Sequence, residues 1–95
     1  MNKVINPMLV DKEIIGNLHF PNEEVLVSAE LRQEREYELQ RASSLGTDKV
    51  KIKIVFEDTE GLRQVETTVW AVTKDRVVLK HGATIPINRI HEIKI

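Results

Sequence analysis

A chain of 95 residues that is 41% hydrophobic and 31% charged has the composition of one folded domain rather than of a disordered or membrane-embedded chain. Cysteine is absent, which excludes disulfides, thiolate zinc sites and cysteine nucleophiles. The net charge of −1 hides a division: residues 1–48 carry five Lys or Arg against nine Asp or Glu, and residues 49–95 carry nine against six. We expect these halves to attract each other, with an anionic partner for the basic half as the alternative.

The start of the chain predicts a soluble protein with an irregular lead-in. The first ten residues, MNKVINPMLV, lack the continuous apolar stretch of a secretory signal, and no apolar run approaches the ~18 residues of a spanning helix. We therefore expect a single cytoplasmic domain over residues 1–95 without a membrane partner. In residues 1–21 short apolar groups are interrupted by Pro7, Gly16 and Pro21, so no long regular element is predicted.

A helix is predicted over residues 22–45. Asn22 is a suitable N-cap, acidic Glu23 and Glu24 follow it, and no Gly or Pro occurs before Gly46, which predicts the helix end. The pattern is clearest for residues 30–43, whereas the β-branched content of residues 24–29 also suits a strand. The apolar stripe is narrow and is interrupted at Arg35; its members are Leu31, Leu39, Ala42 and Leu45.

Beyond Asp48 the hydrophobic period changes to two, which predicts a strand over residues 49–56. The alternation directs Val50, Ile52, Ile54 and Phe56 inward and Lys49, Lys51, Lys53 and Val55 outward. Residues 57–61, EDTEG, predict a turn, and a second strand over residues 64–72 completes a hairpin. On that strand we expect Val65, Val69 and Ala71 to point inward and Thr68, Trp70 and Val72 to point outward.

Three further short strands are predicted, over residues 76–80, 83–87 and 91–95. Pro86 lacks an amide hydrogen and ends the fourth strand, and residues 88–90 supply a single helical turn that redirects the chain. Five strands joined by tight turns remove their edges by curling together. The expected fold is mainly β (α+β): a five-stranded SH3-like or Sm-like small barrel over residues 49–95, preceded by a helix that packs on it.

No side-chain pattern predicts catalysis, a cofactor or a metal. His19, His81 and His91 lack the short spacings that offer metal ligands, and the serines lie in no nucleophile elbow. Glycine-rich phosphate loops are also absent from the sequence. We therefore predict a protein that is not an enzyme.

Two features suggest a binding surface. An outward Trp70 must either be covered or contact a partner; we expect the helix to cover it through Tyr37, Leu31 or Leu39, with a protein or base contact as the alternative. Lysines 49, 51 and 53 share one strand face, which keeps an edge strand from pairing with other chains or, alternatively, forms a basic surface for phosphates. The other cations that this basic surface would include are Arg63, Lys74, Arg76, Lys80 and Arg89.

Two stretches carry resemblances. The run from Val65 to Ile90, VETTVWAVTKDRVVLKHGATIPINRI, resembles a group of short bacterial proteins of unknown function, which implies no activity. The ending IPINRIHEI, Ile85 to Ile93, is similar to the I-P-x-H-R-I-x-x-I ending of a domain family associated with RNA ends that bear a terminal cyclic phosphate. This second resemblance implies that Arg89 contacts a phosphate; Asn88 stands where that family has His, and its early Trp-Asp motif is missing.

The sequence thus predicts a non-catalytic binding or adaptor module. Its barrel surface around Trp70, Arg76 and Arg89 is expected to contact a protein partner or a second copy of the chain. The alternative is RNA or single-stranded nucleic-acid binding through the basic face that contains Lys49, Lys51 and Lys53, against which the low aromatic content of 4% counts.

Overall fold

A computed structural model describes residues 6–95; residues 1–5, the first part of the predicted lead-in, lie outside the described range. Within residues 6–95 the chain forms one α-helix and seven strands in two sheets, and the strands do not close into a barrel. The expectation of a mainly β, α+β fold is confirmed. The elements in chain order are β1 (Met8–Leu9), α1 (Ala29–Thr47), β2 (Ile52–Asp58), β3 (Gly61–Thr67), β4 (Val69–Val72), β5 (Arg76–Leu79), β6 (Thr84–Pro86) and β7 (Ile90–Lys94).

The two sheets enclose one hydrophobic core. The first sheet has the order β1-β3-β2-β7 and the second has the order β4-β5-β6. All pairings are antiparallel except that of β1 with β3. The inner side chains of both sheets and of α1 meet in a single cluster, whose largest members include Phe56, Ile54, Leu79, Ile85 and Ile90.

The period-two pattern after Asp48 is confirmed where it matters for the core. Ile52, Ile54 and Phe56 are all buried in β2, whereas Val55, predicted to lie outward with the lysines, is also buried. The strand begins only at Ile52, however, so the prediction that it starts at Lys49 is wrong, and Val50 is 39% exposed. Lys49 and Lys51 therefore precede the strand.

The late start of β2 follows from how α1 ends. Lys49 has φ of 62°, the left-handed conformation that closes helices, and its N–H donates to the carbonyl of Gly46 at 3.0 Å. The N–H of Val50 donates to the carbonyl of Leu45 at 3.2 Å, which completes a Schellman motif. Gly46 is thus not the residue that ends the helix, as predicted, but lies inside it. A methyl group at Gly46 would lie 1.8 Å from the carbonyl oxygen of Val69, so glycine permits the helix to contact β4.

The predicted helix start at Asn22 is wrong, because Ser28 is the N-cap and residues 22–28 are neither helix nor strand. The Ser28 hydroxyl accepts the N–H of Leu31 at 3.4 Å. Long-range bonds hold the preceding segment in place: the N–H of Val25 donates to the carbonyl of Asn88 at 3.0 Å. These long-range contacts outweigh the local helix propensity of residues 22–28.

The predicted second strand is divided into β3 and β4, which belong to different sheets. In β4 Val69 lies opposite Leu79 and Ala71 lies opposite Val78, so Trp70 is an extra residue in the ladder. Such a bulge reverses the alternation beyond it. Consequently Ala71, predicted to point inward, is exposed, whereas Val72 is partly buried and pairs with the buried Val77.

The helical turn between the last two strands is confirmed, one residue earlier than predicted. β6 ends at Pro86, residues Ile87–Arg89 form a 3₁₀ turn, and β7 returns to pair with β2. Another 3₁₀ turn, Lys12–Asn17, buries Ile15 under the sheets. None of the helical segments within residues 6–95 has the length and apolarity that crossing a membrane requires.

Candidate binding surface on the second sheet

The outer side of the second sheet is the candidate surface, and it is built by alternation across three short strands. Val69, Val77, Leu79 and Ile85 are buried in the core. Their neighbours therefore face away from the core. The register places Ala71, Val78 and Thr84 in one row across the sheet, and Arg76 and Pro86 in the next. We call these residues, together with Trp70 at the bulge, the outer face of the second sheet.

Trp70 is the largest apolar group on this face and is 56% exposed. The prediction that the helix covers it is wrong: Tyr37 and Leu31 are themselves exposed, and Leu39 is buried in the core. The helix packs against β4 through Gly46 and not over the indole. The nearest ring is that of His81, whose centroid lies 5.9 Å from that of Trp70. An exposed indole beside an imidazole is a group that a partner can cover.

The charges around this face are predominantly positive. Residues 69–88 carry Lys74, Arg76 and Lys80 against one acid, Asp75, and all four are exposed. Asp75 lies at the tip of the β4–β5 hairpin, where its backbone carbonyl accepts the N–H of Ile87 at 2.9 Å. The Arg76 guanidinium donates to the Thr84 hydroxyl at 3.1 Å, which holds it against the sheet. The predicted grouping of Trp70 and Arg76 on one surface is therefore found.

Arg89, the third residue predicted for this surface, is inside the protein with 5% of its surface exposed. Its guanidinium donates to the backbone carbonyls of Glu57 at 3.0 Å and Glu23 at 2.7 Å. It also lies 3.6 Å from the Glu57 carboxylate. These acceptors occupy the guanidinium, so Arg89 fixes the segment before α1 to β2 and does not lie on the surface with Trp70 and Arg76, where it was expected.

The predicted lysine face on the first sheet is not a row of cations. Lys49 caps the helix and Lys51 precedes the strand, so only Lys53 belongs to β2. Lys53 lies opposite Glu66 on one side and Lys94 on the other, and the Lys94 ammonium is 3.7 Å from the Glu92 carboxylate. This row therefore holds one acid and two lysines, and Glu92 offsets the second lysine, so these four residues have no excess of positive charge.

The three histidines have different surroundings. His91 Nε2 lies 2.8 Å from the Glu57 carboxylate, His81 lies beside Trp70, and His19 is exposed. Residues 6–95 contain no cluster of three or more His, Asp or Glu side chains able to hold a metal. What the second sheet offers is a set of groups for recognition: an indole, an imidazole and cations.

Arg35, the residue that interrupts the apolar stripe of the helix, joins α1 to the segment before it and to β7. It is buried, and its guanidinium donates to the Glu24 carboxylate at 2.6 and 2.7 Å and to the Ile90 carbonyl at 3.0 Å. The hydrogen bond from Arg35 holds the pKa of Glu24 below its usual range. A charge on the buried side of a helix requires a partner, and that signal was present in the sequence.

A shallow groove runs along the other side of α1, where the helix meets β7. Its floor is apolar, formed by Leu26, Leu31 and Ile93, and its rim carries the carboxylates of Glu34, Glu38 and Glu92. We call it the acidic groove. It shares no residue with the outer face of the second sheet.

Comparisons of the chain with models of protein families, with curated proteins and with solved structures find no match. The two resemblances given above therefore stay predictions.

Proposed function

We propose that this protein is a non-catalytic binding module whose protein partner docks on the outer face of the second sheet. The observation that carries the proposal is the exposure of Trp70, 56%, on a sheet face edged by cations. Trp and Arg are the residue types that contribute most to protein interfaces when a partner desolvates them. The fold supplies no competing use for the indole within residues 6–95, because α1 packs beside it and not on it.

The chemistry of the face indicates an acidic and partly apolar partner surface. The indole, Ala71 and Val78 supply apolar area, Arg76 adds a positive charge in the next row of the sheet, and Lys80 adds another directly after β5. Such a patch attracts carboxylates over a Debye length of ~8 Å at physiological salt. A partner with apolar side chains between Asp or Glu residues satisfies both parts.

Single-stranded RNA is the second candidate, because the indole and the His81 ring lie beside cations that can contact phosphates. The site proposed here differs from the lysine strand of the sequence-based alternative, since Lys53 is flanked by Glu66. Only one tryptophan occurs on the face, whereas single-strand binders stack successive bases on several aromatic rings. We therefore favour a protein partner.

A displayed library of random peptides, selected on the intact protein, tests the proposal. We expect the recovered peptides to combine Asp or Glu with apolar residues and to lose binding to the Trp70→Ala variant. Titration with oligouridine, followed by the fluorescence of the single tryptophan, tests the second candidate.

The control variant is Tyr37→Ala, because Tyr37 is equally exposed but lies on α1. Peptides that bind Trp70→Ala as tightly as the unmodified chain would place the binding surface elsewhere and contradict the proposal. Oligouridine binding that weakens steeply with salt, without peptide enrichment, would replace it with the RNA candidate.

The same proposal extends to the architecture, which we assign to the SH3-like or Sm-like small barrels in a partly open form. Three observations support this assignment. β3 continues into β4 through Thr68, so one bent strand serves both sheets. β7 pairs back with β2, and a single 3₁₀ turn separates β6 from β7. Counting the bent strand once, residues 52–94 form a five-stranded meander.

A further inference from the structure

The acidic and basic halves of the chain form no ion pairs with each other among the described residues. The ion pairs within residues 6–95 join Arg35 to Glu24 and Arg41 to Glu38 in the acidic half. In the basic half the pairs are Arg63 with Asp58, Arg89 and His91 with Glu57, and Lys94 with Glu92. None of them crosses from residues 6–48 to residues 49–95. The expected attraction between the two halves is therefore not seen as an ion pair within the described residues.

Two surfaces nevertheless combine exposed apolar groups with charge: the outer face of the second sheet, and the acidic groove, which α1 and residues 91–93 of β7 form together. The outer face of the second sheet combines Trp70 with Arg76, and Lys80 borders this face in the turn directly after β5. The acidic groove combines an apolar floor, where Leu31 is 46% exposed, with the carboxylates of Glu34 and Glu92. These two surfaces match in chemistry: an indole fits an apolar floor, and ammonium and guanidinium groups fit carboxylates.

We propose that the occupant of the outer face of the second sheet is the acidic groove of a second copy of this chain. This inference rests on the proposed function and names its partner. Trp70 of one molecule lies over Leu31 in the groove of the next, and Lys80 or Arg76 faces Glu34. The contact joins two different surfaces, so it is heterologous and continues from copy to copy as a ring or a chain.

The cations that line or border the groove leave one of its rim carboxylates without an ion pair among the described residues. Arg35 is bonded to Glu24 and to the Ile90 carbonyl, and His91 is bonded to Glu57, so both are engaged with groups outside the rim. Arg41 lies 3.4 Å from Glu38, and Lys94 lies 3.7 Å from Glu92, both as exposed pairs. Glu34 has no ion-pair partner among the described residues. Glu34 is thus the rim carboxylate that a second copy would neutralise.

Two variants test the two surfaces of the proposed contact separately. The face variant carries Trp70→Ala and Lys80→Glu, and the groove variant carries Glu34→Lys and Glu38→Lys. All four side chains lie at the surface, so both variants are expected to fold, and circular dichroism checks this. Sedimentation velocity over a range of concentrations measures the association of each variant alone and of their equimolar mixture.

We expect the unmodified protein to form species larger than a dimer as its concentration rises, and to dissociate as salt is added. Each variant alone loses about 30-fold or more in association, as removal of a central interface tryptophan does. The mixture forms a heterodimer and stops there, because one intact face meets one intact groove. Restoration by mixing is a result that a general loss of stability cannot produce.

The inference is overturned if the unmodified protein stays monomeric at millimolar concentration, if the face variant associates as strongly as the unmodified protein, or if the mixture does not recover. A monomer whose Trp70 face still selects acidic peptides would overturn the self-association alone and leave the binding module in place. A monomer that selects no peptides would overturn both.

Discussion

The outer faces of the two sheets contain similar residue types but differ in how the strands arrange them. On the first sheet Lys53 lies between Glu66 and Lys94, and Lys94 is paired with Glu92, so two acids offset the two lysines. On the second sheet Arg76 lies opposite Pro86, Ala71 lies opposite Val78, and the indole of Trp70 is in water. The first face carries balanced charges, whereas the second presents an exposed apolar group and an arginine that forms no ion pair among the described residues.

The difference teaches that the register across strands, and not the frequency of lysine along one strand, decides whether a sheet face is basic. The three lysines at 49, 51 and 53 are the densest cations in the sequence. The structure distributes them over a helix cap, a connection and a strand. Arg76, which stands outside that run, lies on the exposed face of the second sheet and forms no ion pair among the described residues.

The helix contacts the second sheet by close backbone packing at Gly46 and the first sheet through the buried Arg35. Gly46→Ala tests the contact with the second sheet. The added methyl group would meet the Val69 carbonyl, so the end of α1 must move away from β4. We expect the free energy of unfolding to fall by about 2–3 kcal/mol, even though alanine favours helices. Chemical denaturation measures it, and hydrogen exchange should locate the lost protection in β4 and not in β2.

Gly16→Ala is the matched control for that change, because nothing lies within 4 Å of the corresponding methyl position. We expect its free energy of unfolding to stay within about 0.5 kcal/mol of the unmodified value. An equal loss in both variants would show that contact with β4 is not the reason for Gly46.

Glu24→Gln tests the link between α1 and the first sheet. The substitution leaves the buried Arg35 guanidinium without its carboxylate, and we expect a loss of about 2 kcal/mol at neutral pH. The folded pKa of Glu24 is below that of the unfolded chain. Its contribution is therefore complete above the unfolded pKa and is lost as pH falls through the folded pKa.

Denaturation across the acid range measures this dependence, and Glu34→Gln is the control because Glu34 bonds no cation among the described residues. The stability of Glu24→Gln should decline less with acid than that of the unmodified chain. Parallel declines would contradict the assignment of the acid sensitivity to the Glu24–Arg35 pair.

Lys49→Gly tests the connection between α1 and β2. Lys49 holds a φ of 62°, which glycine adopts without steric cost. We expect the variant to gain about 0.5–1 kcal/mol in stability by thermal denaturation. Lys51→Gly, outside the left-handed conformation, should lose stability or leave it unchanged; a gain in both would remove the Schellman motif as the explanation.

The sequence predicted those parts of the fold that depend on local pattern. Alternation identified Ile52, Ile54 and Phe56 as core, and the missing amide hydrogen of Pro86 indicated the turn before β7. Both are properties of neighbouring residues and need no knowledge of the rest of the chain.

What the sequence did not reveal depends on residues far apart. The bulge at Trp70 inserts one residue and so exchanges the faces of Ala71 and Val72, and nothing in VWAV marks it. The helix start moved to Ser28 because Arg35 and Arg89 hold the preceding segment, the latter across 66 positions. The same contacts removed Arg89 from the surface. Of the predicted site, Trp70 and Arg76 remained together because both lie on one short hairpin.

Charge reversal at Lys53, on the first sheet, and at Lys80, directly after β5 of the second sheet, changes stability least and tests the central claim most directly. Lys80→Glu and Lys53→Glu each exchange one exposed lysine for glutamate, so we expect both to keep their stability within about 0.5 kcal/mol. Binding of a selected acidic peptide, followed by the fluorescence of Trp70, should weaken about tenfold for Lys80→Glu and stay within about twofold for Lys53→Glu. Equal weakening in both variants, or weakening in Lys53→Glu alone, would contradict the assignment of binding to the outer face of the second sheet.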